Sequence, residues 1–263
     1  MQSDTAALKR SVHRNFSRAA RQYDQAASLQ QQVGSNLAGH LPEHWQPEIL
    51  LDAGAGTGFF SAYLQKRYPK AAVLSLDIAE PMAQQAKRRI ARVLNGDFDA
   101  LPIAAASLSG ILSNLALQWS GDLNLTLREF NRVLQPQGWL LFSTLSVNTF
   151  IELKQAWATL DDQQHLQRFL SETALHTSLM DNNFSNPMLR REVITVYGKT
   201  LSELLHSLKA VGANAVPQQR TALLGKRTYA ALQDAYEIYR TSAGLLPLTY
   251  EVIYGKAMVC QRD

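Results

Sequence analysis

Five short apolar runs alternate with amphipathic stretches between residues 49 and 146. The runs read ILLDAG, VLSLDI, VLNGD, LSGILSNLAL and WLLFSTLS. Strands that are buried on both faces have such continuous apolar runs, and helices between them form the crossovers of a parallel sheet. The intervals 58–68, 81–90 and 123–134 have helical spacing, and Pro136 and Gly138 are expected to separate the third helix from the fifth strand. The pattern predicts an α/β fold.

The segment before residue 42 predicts one or two amphipathic helices, with Gly34 and Gly39 as weak breaks. After Ser146 the alternation lapses, and inserted helices are expected over 148–162 and 171–184, followed by a strand over 191–198. Thr200 and Glu203 have the spacing of a capping box, which starts a helix that is predicted to end at Gly212. A helix over 228–240 and a last strand or hairpin over 247–260 complete the prediction.

The composition is that of an ordinary globular chain, with 263 residues, 46% of them hydrophobic, and a formal net charge of +4. Cys260 is the single cysteine, so no disulfide or multi-cysteine metal site forms within the chain, and a reducing compartment is expected. No apolar segment has the length of a membrane span, so we expect a cytoplasmic protein without a membrane partner. The basic start also fits a mitochondrial transit peptide, although its periodicity suits a packed helix equally well.

A glycine-rich turn follows the first predicted strand and precedes a helix, at the sheet edge where open α/β folds bind ligands. A dinucleotide site requires a small residue at the sixth position counted from Gly54, and Phe59 stands there. The actual pattern is Asp52, Gly54, Gly56 and Gly58. Bare backbone beside an aspartate suits the ammonium of S-adenosylmethionine, which has no pyrophosphate. The alternative is a tight turn without a ligand.

Two further aspartates end the next predicted strands. Asp77 follows the last glycine by 19 residues (77 − 58), a spacing that suits hydrogen bonds to ribose hydroxyls; alternatively it caps the helix that begins near Pro81. Asp97 ends the third predicted strand. Its carboxylate is positioned there to accept a hydrogen bond from the amino group of adenine, and Phe98 or Ile78 would flank the adenine ring. An Asx-type turn is the alternative for Asp97.

These segments, in this order, resemble the motifs of class I S-adenosylmethionine-dependent methyltransferases. The resemblance rests on LDAGAGTG, LSLDIAEPM, NGDFDALP and SNLALQW, and covers about residues 49–146. It implies a Rossmann-like, mostly parallel seven-stranded sheet with helices on both faces, an N-terminal helical cap and a helical insertion after the fifth strand. The matching positions imply further cofactor contacts from Ala55, Met82, Asn114 and Leu115.

The same resemblance implies one methyltransferase domain with four parts. They are the cap (1–46), the cofactor-binding core (47–146), the helical insertion (147–190) and the C-terminal part of the sheet with helices (191–263).

The flanking segments are similar to the malonyl-acyl-carrier-protein carboxyl methyltransferases of biotin synthesis. That similarity includes NFSRAARQYDQAASLQQQ, LREFNRVLQPQGWLLFSTL, SLKAVGAN and PLTYEVIYG, but Ala55 and Thr57 stand where that family often has cysteine and proline. It implies that a malonyl carboxylate, carried on a phosphopantetheine arm, takes the methyl group and leaves S-adenosylhomocysteine. Because carboxylic acids are ionised near neutral pH, no general base is expected. No metal is expected either.

The resemblance also suggests residues at the acceptor. Tyr23 lies in the segment that folds over the cofactor in such enzymes, and Gln118 and Trp119 follow the fourth strand; core packing is the alternative for the aromatic pair. Arg18, Lys209 and, less favourably, Arg14 are candidates to hold the carboxylate, with a solvated helix face as the alternative.

The implied partner is an acidic carrier protein, or coenzyme A in its place. Basic clusters at 66–70 and 87–92, with Arg190 and Arg191, are available for the carrier, and no aromatic interleaving suggests nucleic acid. Two other functions stay open: methyl transfer to a small diffusible metabolite such as a quinone precursor, and a non-catalytic cofactor-binding or assembly role. Phe59 disfavours a nicotinamide-linked oxidoreductase.

Overall fold

A computed structural model describes residues 2–163, 165–211 and 225–261. These residues form one seven-stranded sheet with the strand order β3-β2-β1-β4-β5-β7-β6. Neighbouring strands among β1–β5 pair in parallel, and β7 is antiparallel to both β5 and β6. The predicted mostly parallel α/β sheet is therefore confirmed. The strands are β1 (Ile49–Ala53), β2 (Ala72–Asp77), β3 (Arg92–Asn95), β4 (Leu108–Asn114), β5 (Leu134–Leu145), β6 (Phe184–Gly198) and β7 (Leu246–Val259).

Helices cover both faces of the sheet. Leu50 and Leu51 are consecutive in β1 and point to opposite faces, and each belongs to a different buried apolar cluster. Residues of α3, α4, α7, α9 and α10 pack on the first face, and residues of α6 and α8 on the second. The helices are α1 (Gln2–Ala19), α2 (Tyr23–Ala26), α3 (Ser28–Ala38), α4 (Phe59–Arg67), α5 (Glu80–Ala86), α6 (Leu123–Val133), α7 (Ile151–Ala158), α8 (Glu172–Asp181), α9 (Leu201–Ala210) and α10 (Lys226–Tyr236).

The N-terminal prediction was partly wrong. Gly34 does not break a helix but lies buried inside α3, where a Cβ would stand 3.1 Å from Nδ2 of Asn114. The break falls earlier, between α1 and α3, and Gly39 ends α3 as predicted. A glycine at residue 34 thus permits close packing of α3 on the sheet, which the local pattern cannot distinguish from a helix break.

The boundary between α6 and β5 also differs from the prediction. Pro136 and Gly138 lie inside β5, which begins at Leu134. The pairing with β4 shifts register between Leu108 and Gly110, and Gln137 has a φ of 62°. A strand tolerates proline at such an irregularity because the ladder is already interrupted there.

The remaining corrections concern element ends. The helix predicted over 81–90 is α5, which ends at Ala86, and β6 begins at Phe184 rather than at residue 191. The C-terminal segment is one strand and not a hairpin, since its antiparallel partner is β6. Thr200 Oγ1 accepts a hydrogen bond from the N–H of Glu203 (3.2 Å), as predicted for the start of α9, whereas the predicted end at Gly212 lies outside the described residues.

The cap α1–α3 precedes β1, and α7 and α8 separate β5 from β6. The division of the chain at residues 46, 146 and 190 stays a prediction. In the described ranges, no helix has both the length and the apolar character that crossing a bilayer requires.

Candidate functional site

The turn between β1 and α4 is held in a conformation that glycine adopts readily. Gly54, Gly56 and Gly58 have φ values of 77°, 56° and 77°. The N–H groups of Gly54 and Ala55 both donate to the carbonyl of Leu76 at the end of β2 (2.9 Å each). A Cβ on Gly54 would lie 2.3 Å from that of Ala116, so a side chain there is excluded by contact as well as by φ.

Asp77 is the acidic residue at the carboxyl end of β2. One carboxylate oxygen accepts from the N–H of Gly56 and the other from the N–H of Ala79, both at 2.8 Å. Burial raises the pKa of Asp77 to about 6, although these backbone hydrogen bonds favour the charged form. Because a carboxylate offers about four acceptor sites, about two remain for a ligand. The helix-start contact with Ala79, left open as an alternative, is therefore present and still leaves acceptor capacity for a ligand.

Asp52 is the next-to-last residue of β1, just before the turn, and is nearly inaccessible, with 1% of its surface exposed. Its Oδ2 accepts a 2.6 Å hydrogen bond from Oγ of Ser61 in α4. Burial raises the pKa of Asp52 to about 7, and the charge of nearby Asp77 adds to the effect. An approaching cation would offset that burial penalty and favour the ionised form.

A cavity opens at the carboxyl edge of the sheet, and most of the predicted site residues line it. They are Tyr23, Gly54, Gly56, Asp77, Ile78, Asp97, Phe98, Asn114, Leu115 and Trp119. Asp52 and Ala55 border the adjoining space on the α2–α3 side, which also includes Tyr23 and Asn114. The structure thus brings together side chains from the ends of four strands.

Gly58, Met82, Arg18 and Lys209 were also predicted for the site, but they line neither this cavity nor the adjoining space. A Cβ on Gly58 would stand 2.9 Å from that of Ala86, so this glycine serves the packing of α4 near α5. Met82 is fully buried in a cluster with residues at the end of α1. Arg18 and Lys209 are exposed to solvent.

Helix α1 contributes a face that the sequence reasoning missed. Lys9, Val12 and Phe16 are spaced three and four residues apart and all line the cavity. Phe16 packs edge-on against Trp119, with ring centroids 5.8 Å apart. Helical periodicity places Val12 and Phe16 on one apolar face of this segment, but periodicity does not distinguish a core position from a cavity wall.

Lys9 ties α1 to the loop after β3. Its ammonium pairs with Asp97 and lies 2.6 Å from Oδ2 of Asp99. Asp97 also accepts from the N–H of Asp99 (3.0 Å), which is the Asx-type contact left open as an alternative. The adenine role predicted for Asp97 would therefore be shared with a turn and an ion pair.

A second set of polar contacts connects α2 to the glycine turn. Asp24 accepts from Oγ1 of Thr57 (2.5 Å) and pairs with Arg89 (2.6 Å), whose guanidinium also donates to the carbonyl of Thr57 (2.9 Å). Thr57 stands where the similar family often has proline, and here its hydroxyl has a partner. The arrangement holds Tyr23, the preceding residue, over the turn, where a Cβ on Gly56 would be 3.7 Å from the Tyr23 ring.

The end of β4 is strained at the cavity wall. Leu115 has a φ of 49°, which is rare for a side chain of its size, and its N–H donates to the carbonyl and hydroxyl oxygens of Ser143. Asn114 donates to the carbonyl of Gln30 (2.9 Å) and accepts from Oγ of Ser143 (2.7 Å). Its side chain therefore connects α3 to two strands and has little capacity left for a ligand.

A second space, which we call the aromatic pocket, shares a wall with the cavity. Its aromatic lining consists of Phe16, Tyr23, Trp119, Phe150, Phe169 and Tyr250, and Gln118 also borders it. Burial, followed by the charges of Asp77 and Asp24, raises the pKa of the half-buried Tyr23, which therefore stays protonated near neutral pH.

No group of three or more histidine, cysteine or acidic side chains that would suit a metal occurs within the described ranges.

Comparisons with known proteins agree with this geometry. A family model described as a methyltransferase domain matches residues 51–142. A structure of phosphoethanolamine N-methyltransferase 2 from Haemonchus contortus, in complex with phosphomonomethylethanolamine and S-adenosylhomocysteine, has a TM-score of 0.56 over 87% of this chain and 52% of that chain, at 15% identity. The class of protein is therefore an S-adenosylmethionine-dependent methyltransferase with the Rossmann-like fold.

Sequence relatives narrow the class. A malonyl-[acyl-carrier protein] O-methyltransferase of Xylella fastidiosa (strain M23) is 41% identical over 94% of this chain and 86% of its own length. The biotin biosynthesis bifunctional protein BioHC of Cellvibrio japonicus is 38% identical over 95% of this chain and 50% of its own length. The chain belongs to the family of malonyl-[acyl-carrier protein] O-methyltransferases. This result contradicts the nicotinamide-linked and non-catalytic alternatives.

Proposed function

We propose that the protein transfers a methyl group from S-adenosylmethionine to the free carboxylate of a malonyl group on acyl-carrier protein, and that the methyl ester enters biotin synthesis. The observation that carries the proposal is the wall common to the cavity and the aromatic pocket. Phe16, Tyr23, Leu115 and Trp119 line both spaces, so two ligands would meet there.

The residues of the cavity fit the cofactor. The two acceptor sites left on Asp77 suit the ribose hydroxyls, and the ammonium suits Asp52, whose burial penalty a cation would reduce. Phe98 and Ile78 border the cavity beside Asp97, as a planar base requires. When bound, the cofactor supplies an electrophilic methyl group on a cationic sulfur.

The chain's own contribution is to orient and dehydrate the acceptor. A carboxylate is already anionic near neutral pH, so no side chain has to remove a proton from it. Tyr23, held protonated by burial, can donate a hydrogen bond at the common wall, while Phe16 and Trp119 exclude water. Positioning of this kind contributes up to about 7–11 kcal/mol to a barrier when the reacting atoms are well held.

Gln118 and Trp119 have distinct parts in the proposal. Gln118 donates to the carbonyl of Leu115 (2.7 Å) and accepts from Oγ1 of Thr144 (3.3 Å), so it holds the strained end of β4 in place. Trp119 is almost fully buried between α1 and the sheet and forms part of the common wall. Gln118 therefore acts through Leu115, whereas Trp119 would contact the acceptor.

The carrier protein remains part of the proposal, with an acidic surface as its expected chemistry. Some basic side chains considered for its docking are already paired, since Arg89 binds Asp24 and Arg191 binds Glu172. The cluster at residues 66–70 has no ion pair among the described residues. A cytoplasmic location is proposed from the lone cysteine.

Radiolabelled S-adenosylmethionine tests the proposal directly. The pure protein is incubated with malonyl-acyl-carrier protein, malonyl-coenzyme A or free malonate, and base-labile label is counted. We expect label on the malonyl thioesters and little on free malonate. Absence of label from every malonyl species, with label on a quinone precursor instead, would show a small-metabolite methyltransferase.

A further inference from the structure

The aromatic pocket contains no cation among its described lining residues. Its polar lining groups are Tyr23, Gln30, Gln118, Tyr250 and the indole N–H of Trp119. Arg18 and Lys209, the cations that the sequence suggested for holding a carboxylate, are exposed and do not border this pocket. A carboxylate that enters it must therefore be oriented by neutral hydrogen-bond donors.

The side-chain hydrogen bonds reduce the choice of donor. The Gln118 amide oxygen accepts a hydrogen bond from Thr144 and its nitrogen donates one to Leu115, so one of its two N–H groups is left. Oε1 of Gln30 is buried without a partner, but it is an acceptor and would repel a carboxylate oxygen. Besides the hydroxyls of Tyr23 and Tyr250, the donors that border the pocket are the amide nitrogens of Gln30 and Gln118 and the indole N–H of Trp119.

Tyr250 differs from two other tyrosines of the same C-terminal region. The hydroxyl of Tyr236 donates to the carbonyl of Pro247 (2.7 Å), and that of Tyr254 donates to Glu192 (2.6 Å). The hydroxyl of Tyr250 has no hydrogen bond within the described residues, and burial raises its pKa, so it keeps its proton. The Tyr250 oxygen is also not one of the fully enclosed polar atoms without a partner, so it retains some exposure and can donate to a ligand that enters the pocket.

The surroundings hold the Tyr250 ring in place. Phe150 packs edge-on against it with ring centroids 4.9 Å apart, and Phe150 itself has a φ of 62°. That strained backbone is held by a 2.6 Å hydrogen bond from the N–H of Phe150 to the carbonyl of Thr249. Side chains of this size rarely adopt such a φ, and strain of this kind concentrates at functional sites.

We propose that Tyr250 donates a hydrogen bond to the free carboxylate of the acceptor, and that this neutral contact distinguishes a malonyl thioester from one without a carboxylate. The inference rests on the proposed function and adds the residue that recognises the acceptor. A neutral donor suits the reaction because it orients the carboxylate without the strong charge pairing by which arginine or lysine would lower the reactivity of the attacking oxygen.

Lys154 is the rival for this role, since it lies nearby. Its ammonium is 5.5 Å from the centroid of the Phe169 ring, which borders the aromatic pocket. However, Lys154 lines a different groove and donates to the carbonyl of Val147 (2.6 Å). The experiment therefore includes a variant at each position.

The test compares the binding of malonyl-coenzyme A and acetyl-coenzyme A by calorimetry, with S-adenosylhomocysteine present. The wild-type protein is expected to prefer the malonyl thioester. Tyr250→Phe is expected to weaken malonyl binding by about 10- to 100-fold, which is the range for a hydrogen bond to a charged group, and to leave acetyl binding unchanged. Tyr254→Phe, on the same strand but outside the pocket, serves as the matched control and should retain the preference.

The outcomes separate the two proposals. A wild-type protein without any preference for malonyl overturns the proposed function. A normal preference in Tyr250→Phe, or equal losses for both thioesters, overturns the inference about Tyr250. Loss of the preference in Lys154→Met also overturns it, because a cation would then hold the carboxylate. Thermal unfolding of each variant checks that the fold is retained.

Discussion

The N–H of Gly56 donates a 2.8 Å hydrogen bond to Oδ2 of Asp77, so the glycine turn and the acidic end of β2 hold each other in place. The second oxygen of Asp77 binds the N–H of Ala79, just before α5. Asp77 thus organises the loop on which it lies and retains acceptor capacity toward the cavity. A substitution at this position is expected to affect both stability and ligand binding.

Replacing Asp77 by Asn tests that double role. The amide keeps the volume of the side chain, but it turns one accepting oxygen into a donor that must face the N–H of Gly56 or Ala79. We expect S-adenosylmethionine to bind roughly tenfold or more weakly, and the free energy of unfolding to fall by about 1–3 kcal/mol. Calorimetric titration and urea denaturation measure the two effects.

Asp122→Ala is the control for Asp77→Asn. Asp122 caps α6 by accepting from the N–H groups of Asn124 and Leu125, so its loss is expected to cost about 0.5–2 kcal/mol of stability without changing cofactor affinity. Cofactor affinity in Asp77→Asn equal to that of the wild type would show that Asp77 does not hold the ribose.

Gly54 and Gly244 have nearly the same φ, so alanine substitutions at the two positions distinguish the cost of an unfavourable backbone angle from the cost of a steric clash. Gly54 and Gly244 have φ values of 77° and 75°, but a Cβ on Gly54 would lie 2.3 Å from that of Ala116, whereas nothing lies within 4 Å of one on Gly244. Gly244→Ala should cost about 1–2 kcal/mol from φ alone. Gly54→Ala should cost more and abolish cofactor binding, as measured by urea denaturation and calorimetry.

Equal destabilisation of the two alanine variants would mean that the turn relaxes around Ala116. In that event the need for glycine at residue 54 would come only from its φ.

The sequence predicted the parts of the site whose signals are local. The apolar run that ends at Asp52, the turn beyond it and the acidic end of β2 lie within 29 residues of one another (77 − 49 + 1), and their spacing reflects a single strand–turn–helix–strand unit. Most predicted cofactor residues therefore line the cavity. The functional and structural alternatives for Asp77 and Asp97 were not exclusive, because a carboxylate can bind backbone N–H groups and retain acceptor capacity.

The contacts that the sequence did not predict join distant segments. Lys9 pairs with Asp97 at a separation of 88 residues, and Arg89 bonds Asp24 at a separation of 65. No local period encodes which cation of a basic helix faces inward, so the sequence neither indicated Lys9 nor showed that Arg18 is exposed. Pro136 within β5 shows the same limit, since the bulge that accommodates it depends on pairing with β4.

Replacement of Lys9 by Met should loosen α1 over the cavity. Asp99, only 7% exposed, would lose its cationic partner and keep only the hydroxyl of Thr126. Leaving a buried carboxylate without its cation is expected to cost about 1–3 kcal/mol. Hydrogen exchange should accelerate in the amides of α1, and S-adenosylmethionine should dissociate faster.

Lys66→Met, in the exposed last turn of α4, is the matched control, because Lys66 has no ion pair among the described residues. Unchanged exchange in α1 of Lys9→Met would show that apolar packing through Val12 and Phe16 holds the helix by itself.

The buried carboxyl groups beneath the turn predict a pH dependence of stability. The pKa values of Asp52 and Asp77 are raised to about 7 and about 6 by burial, whereas in the unfolded chain both titrate near pH 4. Between about pH 4 and pH 7 the folded protein therefore binds more protons than the unfolded chain. The contribution of these groups to the free energy of unfolding is present below about pH 4, decreases as the pH rises and levels off above about pH 7.

Asp52→Asn isolates the larger of the two contributions, because an amide stays neutral across the whole range. We expect the apo wild type to lose about 2–4 kcal/mol more than Asp52→Asn between pH 4 and pH 8, as measured by urea denaturation. Asp122→Asn, at the exposed N-cap of α6, should keep the wild-type dependence. Identical pH dependences for the wild type and Asp52→Asn would mean that Asp52 is not a protonated carboxyl at the low end of that range. If the pKa of Asp52 is raised as described, binding of cationic S-adenosylmethionine near pH 6 should release a proton from the Asp52 carboxyl. If Asp52 is already ionised at that pH, binding should release no proton from it.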